Sequence, residues 1–466
     1  MIAGRLTEFA GPLEANVYGG DAEFRGLSTD TRGLEKNNLF VALQGERFDG
    51  HDYLAQAEAA GAGAVMVHRE VTTRLPGLRV ADTRLGLGVL ARTWRERFSV
   101  PVVGVTGSNG KTTVKEMVAA ILLRRGPALV TQGNLNNEIG VPLTLVRLGG
   151  EHWAAVVEMG ASGPGEIAYL TSLVIPNVGI LTNAGPAHLE GFGSLRGVAQ
   201  AKGELFSSLP ADGVAVINAD DAFAPLWRRM AGSRTQFCFG FDSAAEFHAE
   251  PDSISLVHKD GEWGTRFRMR TPGGQGWVEL CAAGVHNVRN ALAAAAAATA
   301  VGLDWDDIVV GLSEFRGVGG RARMVEGAGG LRLVDDSYNA NPASFQSAIE
   351  TLVQLPGPHW VVLGEMAELG ADSQALHEAV GRSARAAGVT RLYAIGGDLA
   401  QAAASAFGEG GRAFANQDNA VAVIQGDLDQ LAGGPSPCCL VKGSRSAGMD
   451  RVVKALRAGA SSCSTI

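Results

Sequence analysis

The chain has 466 residues, which at roughly 150 residues per domain indicates about three domains. Its 40 lysines and arginines stand against 48 aspartates and glutamates, and the resulting net charge of −8 argues against nucleic acid or an anionic membrane as a partner. The five cysteines include no CxxC spacing, which supports neither a disulfide framework nor a structural zinc site. We find neither a signal-peptide core nor an apolar run long enough to span a membrane, so we expect a cytoplasmic protein without a membrane anchor.

The first segment, residues 1–82, is typical of a small α/β domain. Residues 39–43 and 63–67 are short apolar runs that predict strands, and the alanine-rich stretch 53–60 between them predicts a helix. Asp82 precedes an amphipathic run whose apolar spacing is helical. This helix leads into a new apolar strand and a glycine loop, so we place a domain boundary after residue 82.

The middle segment, residues 83–314, alternates strand-like and helical patterns. Apolar runs at 153–160, 177–185 and 213–220 each end in polar residues or glycine, which predicts a mostly parallel sheet with helices on both faces. Residues 240–282 differ, because their charged alternation predicts an antiparallel appendage. The alanine-rich stretch 291–303 predicts a helix that packs tightly against a neighbour.

The last segment, residues 315–466, contains four strand-like runs separated by helical stretches such as 342–353 and 374–387. This pattern predicts a second doubly wound sheet. We expect no basic nucleic-acid-binding patch in any of the three segments, and no internal repeat is present at a period of 20–50 residues.

A glycine-rich loop follows the predicted strand at 102–106 and precedes a predicted helix. Glycine lets backbone N–H groups surround a phosphate, the helix N-terminus and Lys111 add positive charge, and Thr112 offers a hydroxyl to Mg²⁺. The strict pattern GxxxxGK[ST] fails by one place, because Val105 stands where its first glycine would fall. The alternative is a strand-to-helix turn without a ligand, but a lysine followed by two threonines is hard to explain by packing. The loop consists of Gly107, Ser108, Asn109, Gly110, Lys111, Thr112 and Thr113.

Two further residues follow predicted strands of the middle segment. Glu158 closes the run at 153–160, where a carboxylate near a phosphate loop suits Mg²⁺, although an ordinary strand-end carboxylate is the alternative. His188 follows another strand end, and a lone histidine is more often a surface or satisfied residue. Lys202, by its chemistry alone, is a routine lysine on a helix surface.

Asparagines mark two more candidate positions. Asn287 and Asn290 lie three residues apart on one helical face, and Asn287 is either a helix cap or a nucleotide contact. Asn341 is a predicted N-cap with Pro342 at the first helical position. Capping does not explain the two preceding acids or Asn339, so this dense polar strand end indicates the edge of a ligand site.

Together these residues resemble the Mur ligases, the ATP-dependent amide-forming enzymes of peptidoglycan synthesis. The matching pieces are the phosphate loop, Glu158 in VEMGAS, His188, Lys202 in AKGE, Asn287 and Asn290 in HNVRN, Arg321 in GGRA and Asp336 in DDSYNANP. Their order along the chain is that of the family. The stretches at 28–54, 133–145 and 336–342 are similar to the branch that adds D-Ala-D-Ala to UDP-N-acetylmuramoyl-tripeptide, and the DNPR signature of the branch that adds a diamino acid is absent.

The resemblance implies an α/β fold of three domains. These are a small N-terminal α/β domain for the UDP-substrate, a central P-loop domain with a parallel sheet for ATP, and a C-terminal Rossmann-like, doubly wound domain. It also implies ATP and Mg²⁺ as cofactors and the UDP-linked tripeptide and D-Ala-D-Ala as substrates. We expect a monomer.

The resemblance further implies a role for each candidate residue. Lys111, Glu158, His188 and Lys202 would be catalytic, Lys202 as a carbamate, and Thr112, Glu158, His188 and Lys202 would hold metal. The nucleotide would meet the phosphate loop together with Asn287, Asn290, Arg321 and Asp336. Ser28, Thr31 and Arg32 would hold the uridine end, Asn134, Asn136 and Asn137 the sugar-peptide, and Asn339 and Asn341 the dipeptide.

Three other functions remain open from the sequence. A folylpolyglutamate synthase would share the amide-forming chemistry, but the stretch at 28–51 argues against it. A nucleotide switch would hydrolyse ATP without an acceptor. A phosphotransferase would release ADP and keep the phosphate on its product.

Overall fold

The computed structural model describes residues 1–186, 189–259, 262–431 and 433–458. It contains three successive α/β units, each built on a mostly parallel sheet with helices between the strands. The predicted fold class, α/β with three units, is confirmed. Within the described residues, no helix is both long and apolar enough to cross a membrane.

The N-terminal unit is built on a small sheet in the order β2-β7-β6-β5-β4, with a two-stranded β1-β3 sheet beside it. Strands β4 to β7 run parallel and β2 is antiparallel to β7. The helix predicted after Asp82 is present, and Asp82 caps it, because its carboxylate accepts hydrogen bonds from the backbone N–H groups of Arg84 and Leu85. The elements are β1 Ala3–Arg5, α1 Leu6–Ala10, β2 Asn16–Tyr18, β3 Glu23–Arg25, β4 Leu27–Ser28, β5 Leu39–Val41, α2 Leu54–Ala59, β6 Ala64–Val67 and β7 Gly77–Arg79. Helix α3 Thr83–Arg95 follows and begins the central unit.

The central unit has its strands in the order β15-β16-β14-β13-β12-β11-β8-β10-β9. Strands β8 to β14 pair in parallel, as the alternation of strands and helices predicted. The strands are β8 Val102–Thr106, β9 Ala128–Val130, β10 Ala154–Glu158, β11 Val178–Leu181, β12 Val214–Asn218, β13 Thr235–Gly240, β14 Phe247–Ala249, β15 Ser255–Lys259, β16 Glu262–Thr271 and β17 Gly274–Leu280. The helices are α4 Lys111–Leu123, α5 Gly140–Leu145, α6 Glu166–Val174, α7 Leu189–Phe192, α8 Leu195–Ser207, α9 Ala224–Ala231, α10 Val285–Ala300 and α11 Trp305–Glu314.

The segment 240–282 is antiparallel in part, as predicted, but it is not a separate appendage. Strand β16 pairs antiparallel with β14, β15 and β17, and β14 pairs in parallel with β13. This segment therefore continues the central sheet at its edge. The physical reason is that β14 offers a free edge on which the hairpin strands complete their backbone hydrogen bonds.

The alanine-rich helix α10 is buried in the core of the central unit. Ala293 to Ala298 are 0% exposed, and the helix packs in one cluster with Val118 and Ile121 of α4 and Phe247 of β14. Small side chains let the helix axis approach its neighbours closely. The predicted tight packing is therefore confirmed.

The C-terminal unit has a sheet in the order β18-β19-β23-β20-β21-β22, in which only the edge strand β18 is antiparallel among the described strands. All four predicted strands are present. The edge strands β18 and β22 are additional, because their short, partly polar sequences carry little apolar signal. The elements are β18 Arg323–Glu326, β19 Arg332–Asp336, α12 Pro342–Leu352, β20 His359–Gly364, α13 Ser373–Ala386, β21 Arg391–Ile395, α14 Asp398–Phe407, β22 Gly411–Phe414, α15 Gln417–Asp429, β23 Cys438–Lys442 and α16 Asp450–Ala458.

Candidate active site between the central and C-terminal sheets

A cleft of about 650 Å³ lies where the carboxyl ends of the central strands face the C-terminal sheet. This is the edge at which ligands bind open parallel sheets. Most of the predicted site residues line it, and they come from both units. They are Ser108, Asn109, Gly110, Lys111, Thr113, Asn134, Asn136, Asn137, Glu158, Asn287, Asn290, Arg321, Asp336, Asn339 and Asn341.

The glycines of the phosphate loop stand where a side chain would not fit. Gly110 has φ +81° at the start of α4, and a Cβ there would lie 2.6 Å from Oδ1 of Asn290. A Cβ on Gly107 would collide with Oγ1 of Thr182. The loop therefore needs glycine both for its backbone conformation and for close contact with its neighbours.

The end of strand β11 supports the same loop through side chains that the sequence did not single out. Thr182 donates from Oγ1 to the carbonyl of Asn109 at 2.6 Å. Asn183 accepts from the Asn109 N–H at 2.9 Å, and Ser108 donates to the carbonyl of Gly185 at 3.1 Å. These bonds hold the loop in place without using the N–H groups at the start of α4. In the sequence, the signal for these contacts was that the polar residues Thr182 and Asn183 directly follow an apolar strand.

Lys111 lies along the loop, with Nζ 2.8 Å from the carbonyl oxygen of Gly107 and 3.3 Å from that of Ser108. Desolvation lowers the pKa of its amine, Glu158 opposes this change, and Arg321 adds to it. The charges of a carboxylate of the central sheet and of a guanidinium from the C-terminal side thus both act on Lys111.

Glu158 ends strand β10 and is 2% exposed. Its Oε1 accepts a hydrogen bond from Nδ2 of Asn136 at 2.8 Å. Its Oε2 is buried and has no hydrogen-bond partner among the described residues. A buried carboxylate oxygen without a partner is costly, and a cation would compensate for it. The position therefore suits a divalent metal.

Lys202 is buried on helix α8, which corrects the expectation, from its chemistry alone, of a surface lysine. Burial lowers its pKa to about 7, and Lys111 contributes to the shift while Glu166 opposes it. Its Nζ lies 5.4 Å from the centre of the Phe192 ring. The helical pattern alone could not reveal this burial, because it depends on how α8 packs onto the sheet.

Part of the predicted metal set is not covered by the structure. His188 lies outside the described residues, so its position relative to Thr112, Glu158 and Lys202 stays a prediction. Among the residues that are described, no group of three or more His, Cys, Asp or Glu side chains is arranged to hold a metal. Mg²⁺ commonly keeps waters and takes phosphate oxygens of its substrate, so it needs few protein ligands.

Asn287 is not a helix cap, which corrects one of the two alternatives left open for it. Helix α10 starts after Gly284, and Asn287 donates from Nδ2 to the carbonyl of Ala283 at 2.9 Å. Asn290 donates from Nδ2 to Oδ1 of Asn287 at 3.2 Å. Its own Oδ1 lies next to Gly110 of the phosphate loop.

Two hydrogen bonds join the C-terminal side of the cleft to the phosphate loop. Arg321 donates to Oγ1 of Thr112 at 3.1 Å, and its guanidinium lies 4.2 Å from the centre of the Tyr338 ring. Asn341 donates from Nδ2 to Oδ1 of Asn109 at 2.7 Å. The predicted N-cap is confirmed as well, because Oδ1 of Asn341 accepts from the N–H of Ser344.

Asp336 forms a buried ion pair that the sequence did not reveal. Lys442, at the end of β23, places Nζ 2.5 Å from Oδ2 of Asp336 and 3.0 Å from the carbonyl of Asn339. The two residues are register partners on adjacent parallel strands. The sequence does show a lysine at the end of an apolar strand, which indicates a functional or paired charge. Its partner could not be predicted, because the pairing depends on which strands are neighbours in the sheet.

His286 was also missed as a residue of the cleft, although it belongs to the quoted HNVRN motif. Burial lowers its pKa to about 4; Asp336 opposes the shift and Lys442 adds to it. The ring is therefore neutral at pH 7, and it offers the cleft a hydrogen-bonding group without charge.

The three N-terminal candidates lie away from this cleft. Ser28 ends β4 and donates to the carbonyl of Asp30, and Thr31 begins a short 3₁₀ helix. Arg32 is exposed and pairs with Asp30 at 2.6 Å. None of the three lines the cleft, so their role in binding the uridine end stays a prediction.

Comparison with known proteins covers almost the whole chain. Residues 23–95 match the description "Mur ligase family, catalytic domain", 105–298 match "Mur ligase middle domain" and 320–445 match "Mur ligase, glutamate ligase domain". The chain is 45% identical to the UDP-N-acetylmuramoyl-tripeptide–D-alanyl-D-alanine ligase of Escherichia coli K12, over 98% of this chain and 99% of that protein. The chain belongs to the Mur ligase family.

Solved structures of Mur ligases agree with this assignment. A crystal structure of MurF from Acinetobacter baumannii is 36% identical and superposes with a TM-score of 0.91, covering 98% of this chain and 99% of that one. MurF from Thermotoga maritima, solved in complex with ADP, is 27% identical with a TM-score of 0.82 and covers 94% of this chain and 98% of that one. The predicted resemblance is confirmed for the family and for the branch.

Proposed function

We propose that this Mur ligase joins D-Ala-D-Ala to UDP-N-acetylmuramoyl-tripeptide and converts ATP to ADP and phosphate. The observation that carries the proposal is a cleft in which three features meet: a phosphate loop, a buried carboxylate with an oxygen unpaired among the described residues, and side chains of the C-terminal sheet. Relatives named UDP-N-acetylmuramoyl-tripeptide–D-alanyl-D-alanine ligase, which this chain matches over nearly its full length, support the choice of substrates.

The reaction needs an activated acid. A carboxylate does not react with an amine at neutral pH, because it is anionic and its oxygen is a poor leaving group. Transfer of the γ-phosphate of ATP to the terminal carboxylate of the tripeptide gives an acyl phosphate and ADP. The free amine of D-Ala-D-Ala then attacks the acyl carbon, phosphate leaves and an amide bond forms.

The nucleotide is held mainly by the phosphate loop. Backbone N–H groups at the start of α4 face the phosphates, and Lys111 pairs with their charge. Asn287 and Asn290 contact the nucleotide from α10, while Arg321 and Asp336 reach it from the C-terminal side. Because Arg321 already contacts Thr112 at 3.1 Å, it lies within reach of a phosphate bound there.

We propose Mg²⁺ as the metal, held by Thr112, Glu158, His188 and Lys202. The buried Oε2 of Glu158, which has no hydrogen-bond partner in the part of the chain that the structure describes, is the feature that fits a cation. The metal supplies positive charge where two anions, carboxylate and phosphate, must approach each other. Lys202 contributes as a carbamate, since an amine with a pKa of about 7 is neutral often enough to take up CO₂.

The substrates divide among the three parts of the chain. Residues 1–82 bind the uridine end through Ser28, Thr31 and Arg32, and residues 83–314 bind ATP. Residues 315–466 complete the site and bind the dipeptide, for which Asn339 is better placed than Asn341, whose side chain is engaged at both ends. Asn134 and Asn137 are exposed and meet the sugar-peptide together with Asn136. We propose that the enzyme works in the cytoplasm as a monomer.

Phosphate release tests the proposed reaction. Purified enzyme with ATP, Mg²⁺ and UDP-N-acetylmuramoyl-tripeptide is assayed with and without D-Ala-D-Ala, and the product is identified by its mass. We expect sustained phosphate release only with both substrates, and a product that carries the added dipeptide. Release that is independent of the dipeptide, or a product that keeps the phosphate, would reject the proposal. Tripeptides with diaminopimelate and with lysine, run in parallel, identify the accepted third residue.

A further inference from the structure

The carboxylate of Glu158 is held in one orientation by its neighbours. Asn136 donates to Oε1 at 2.8 Å, and the backbone of Asn136 accepts the N–H of Gly160 at 2.8 Å. Asn136 therefore contacts both the side chain of Glu158 and the backbone that follows it. Oε1 is thus engaged by the amide, whereas Oε2 is buried and has no hydrogen-bond partner among the described residues.

The backbone of Glu158 is held by a threonine side chain. Strand β9 ends at Val130, and Thr131 still donates its N–H to the carbonyl of Val156 at 3.2 Å. Thr131 then accepts the N–H of Glu158 on its Oγ1 at 3.0 Å. The hydroxyl takes the place of the next backbone carbonyl and extends the pairing of β9 with β10 by one step.

A buried lysine ties this threonine to the phosphate-loop helix. Lys115 is 1% exposed, and its Nζ donates to the carbonyl of Thr131 at 2.8 Å while it pairs with Glu116 at 2.8 Å. Lys115 lies one helical turn after Lys111 on α4. The contacts thus run from the helix that carries Lys111, through Thr131, to Glu158.

We propose that Thr131 is a positioning residue for the metal-binding carboxylate of Glu158, with Lys115 fixing Thr131 and Asn136 fixing the rotation of the carboxylate. This inference rests on the proposed role of Glu158. It assigns to Thr131 and Lys115 a part in divalent-cation binding, although neither side chain reaches the cleft. For Asn136 it adds a contact to the proposed metal ligand, through Nδ2, to the proposed contact with the sugar-peptide.

The alternative is that Thr131 and Lys115 only stabilise the core. Both residues are almost fully buried, so a purely structural role would lower the stability of the protein without changing its metal affinity. The two roles differ in what the removal of one hydroxyl changes. Loss of the hydrogen bond at Glu158 N–H frees the strand end and weakens the cation site, whereas a loss of packing affects the whole domain.

Direct binding of Mn²⁺ in the presence of ADP, followed by electron paramagnetic resonance of the free ion, tests the proposal. Thr131→Val keeps the shape and removes the hydroxyl, and we expect it to weaken Mn²⁺ binding about three- to tenfold, the range for one hydrogen bond. Thr131→Ser keeps the hydroxyl, and we expect it to retain most of the affinity. Thr171→Val is the control, because it removes another buried threonine hydroxyl, on helix α6, away from Glu158.

The outcomes separate the explanations. Wild-type Mn²⁺ affinity in Thr131→Val would overturn the proposal, and so would a loss in Thr131→Ser or in Thr171→Val as large as that in Thr131→Val. Asn136→Ala, measured in the same way, is a second test that involves no buried core residue, and an unchanged affinity would count against the role of Asn136. If wild-type enzyme binds Mn²⁺ but forms no amide, the proposed reaction fails while the positioning inference still stands or falls on the binding data.

Discussion

Asn341, at the start of α12 in the C-terminal unit, donates a hydrogen bond to Asn109 of the phosphate loop, with Nδ2 2.7 Å from Oδ1. The two residues lie 232 positions apart in the sequence. The same asparagine caps α12 through its oxygen, so one side chain both starts a helix and joins the two walls of the cleft. The nucleotide site is thus assembled from two units, and its geometry depends on how they are placed.

Asn341→Asp separates these two roles. Aspartate caps a helix as well as asparagine does, but it cannot donate to Asn109, and its charge repels the Oδ1 there. We expect the KM for ATP to rise about fivefold to tenfold, with little change in thermal stability. The matched control is Asn416→Asp, which changes the cap of α15 on the far side of the C-terminal sheet. An unchanged KM in the first variant would show that the contact does not matter for nucleotide binding.

Lys111→Ala tests the phosphate loop itself. The ammonium group neutralises phosphate charge in the transition state, and such contacts are worth two to three orders of magnitude or more in rate. We therefore expect ligation to fall at least about a hundredfold. Steady-state phosphate release measures this loss, with Lys454→Ala on the exposed side of α16 as the control. Near-normal turnover of the Lys111 variant would refute the role of Lys111.

If Lys202 acts as a carbamate, we expect the recovery of enzyme activity to depend on both pH and CO₂. Its pKa of about 7 means that the neutral amine is about a tenth of the population at pH 6 and about nine tenths at pH 8. Only the neutral amine reacts with CO₂ to form a carbamate, so enzyme depleted of CO₂ should regain activity faster at pH 8 than at pH 6 when both solutions hold the same concentration of dissolved CO₂. Recovery that is independent of pH would contradict carbamate formation at this lysine.

Lys202→Ala gives a second test of the same group. We expect the variant to be inactive and to regain part of its activity with a short carboxylic acid such as formate or acetate, which replaces the carbamate. Ligation is measured over a range of acid concentrations, with wild-type enzyme in the same acids as the control. A fully active alanine variant would remove the carbamate from the mechanism.

The antiparallel edge of the central sheet supports the C-terminal unit. Trp263 and Leu256 pack, together with Ala322 and Met324, against the hydrophobic core of that unit. We expect Trp263→Ala to lower the free energy of unfolding by about 2 kcal/mol and to reduce kcat, because the two walls of the cleft lose a contact. Trp277→Ala is the matched control, since Trp277 lies on the adjacent strand and is 50% exposed.

Urea unfolding and small-angle scattering of the Trp263 variant are the measurements. A larger radius of gyration than that of wild type would show that the C-terminal unit has moved. Equal effects of the two tryptophan variants would mean that the contact has no special part in the arrangement of the units.

Lys442→Met removes one partner of the buried pair with Asp336. Breaking such a pair leaves a charge without compensation, and we expect the free energy of unfolding to fall by about 3 kcal/mol. This value is at the low end for buried pairs, because the Asp336 side chain keeps some contact with solvent. We expect lower stability and weaker ATP binding, because the segment from Asp336 to Asn339 loses its anchor. Lys442→Arg keeps the charge and should retain part of both properties. Equal loss in the two variants would argue for packing rather than charge.

Much of the fold could be predicted from local patterns. The apolar runs of the central and C-terminal sheets are continuous, because parallel strands are covered on both faces, and the turns between them carry glycine and polar residues. Edge strands such as β18 and β22 escaped prediction, since strands exposed on one side lack that signal. The antiparallel character of residues 240–282 was visible in their alternation, but their attachment to β14 was not.

The candidate site was predictable where one local motif carries the chemistry. The phosphate loop, Glu158 and Asn341 each follow a strand or precede a helix, and that context indicates their chemistry. Lys442, Thr182 and Thr131 were missed, because each acts on a partner from a distant part of the chain. Lys202 was recognised only through resemblance to a family, since its helical pattern does not reveal its burial.

The amino-acid sequence by itself determined the order of strands and helices, the conformation of the glycine loop and the family of this enzyme, since these depend on neighbouring residues and on motifs. The tertiary structure alone decided which carboxylate oxygen has no partner among the described residues, which lysine has its pKa lowered to about 7 by burial, and which side chains meet across the cleft. The physical reason is that desolvation and hydrogen bonding act through space, and the residues concerned are brought together only when the sheets pack.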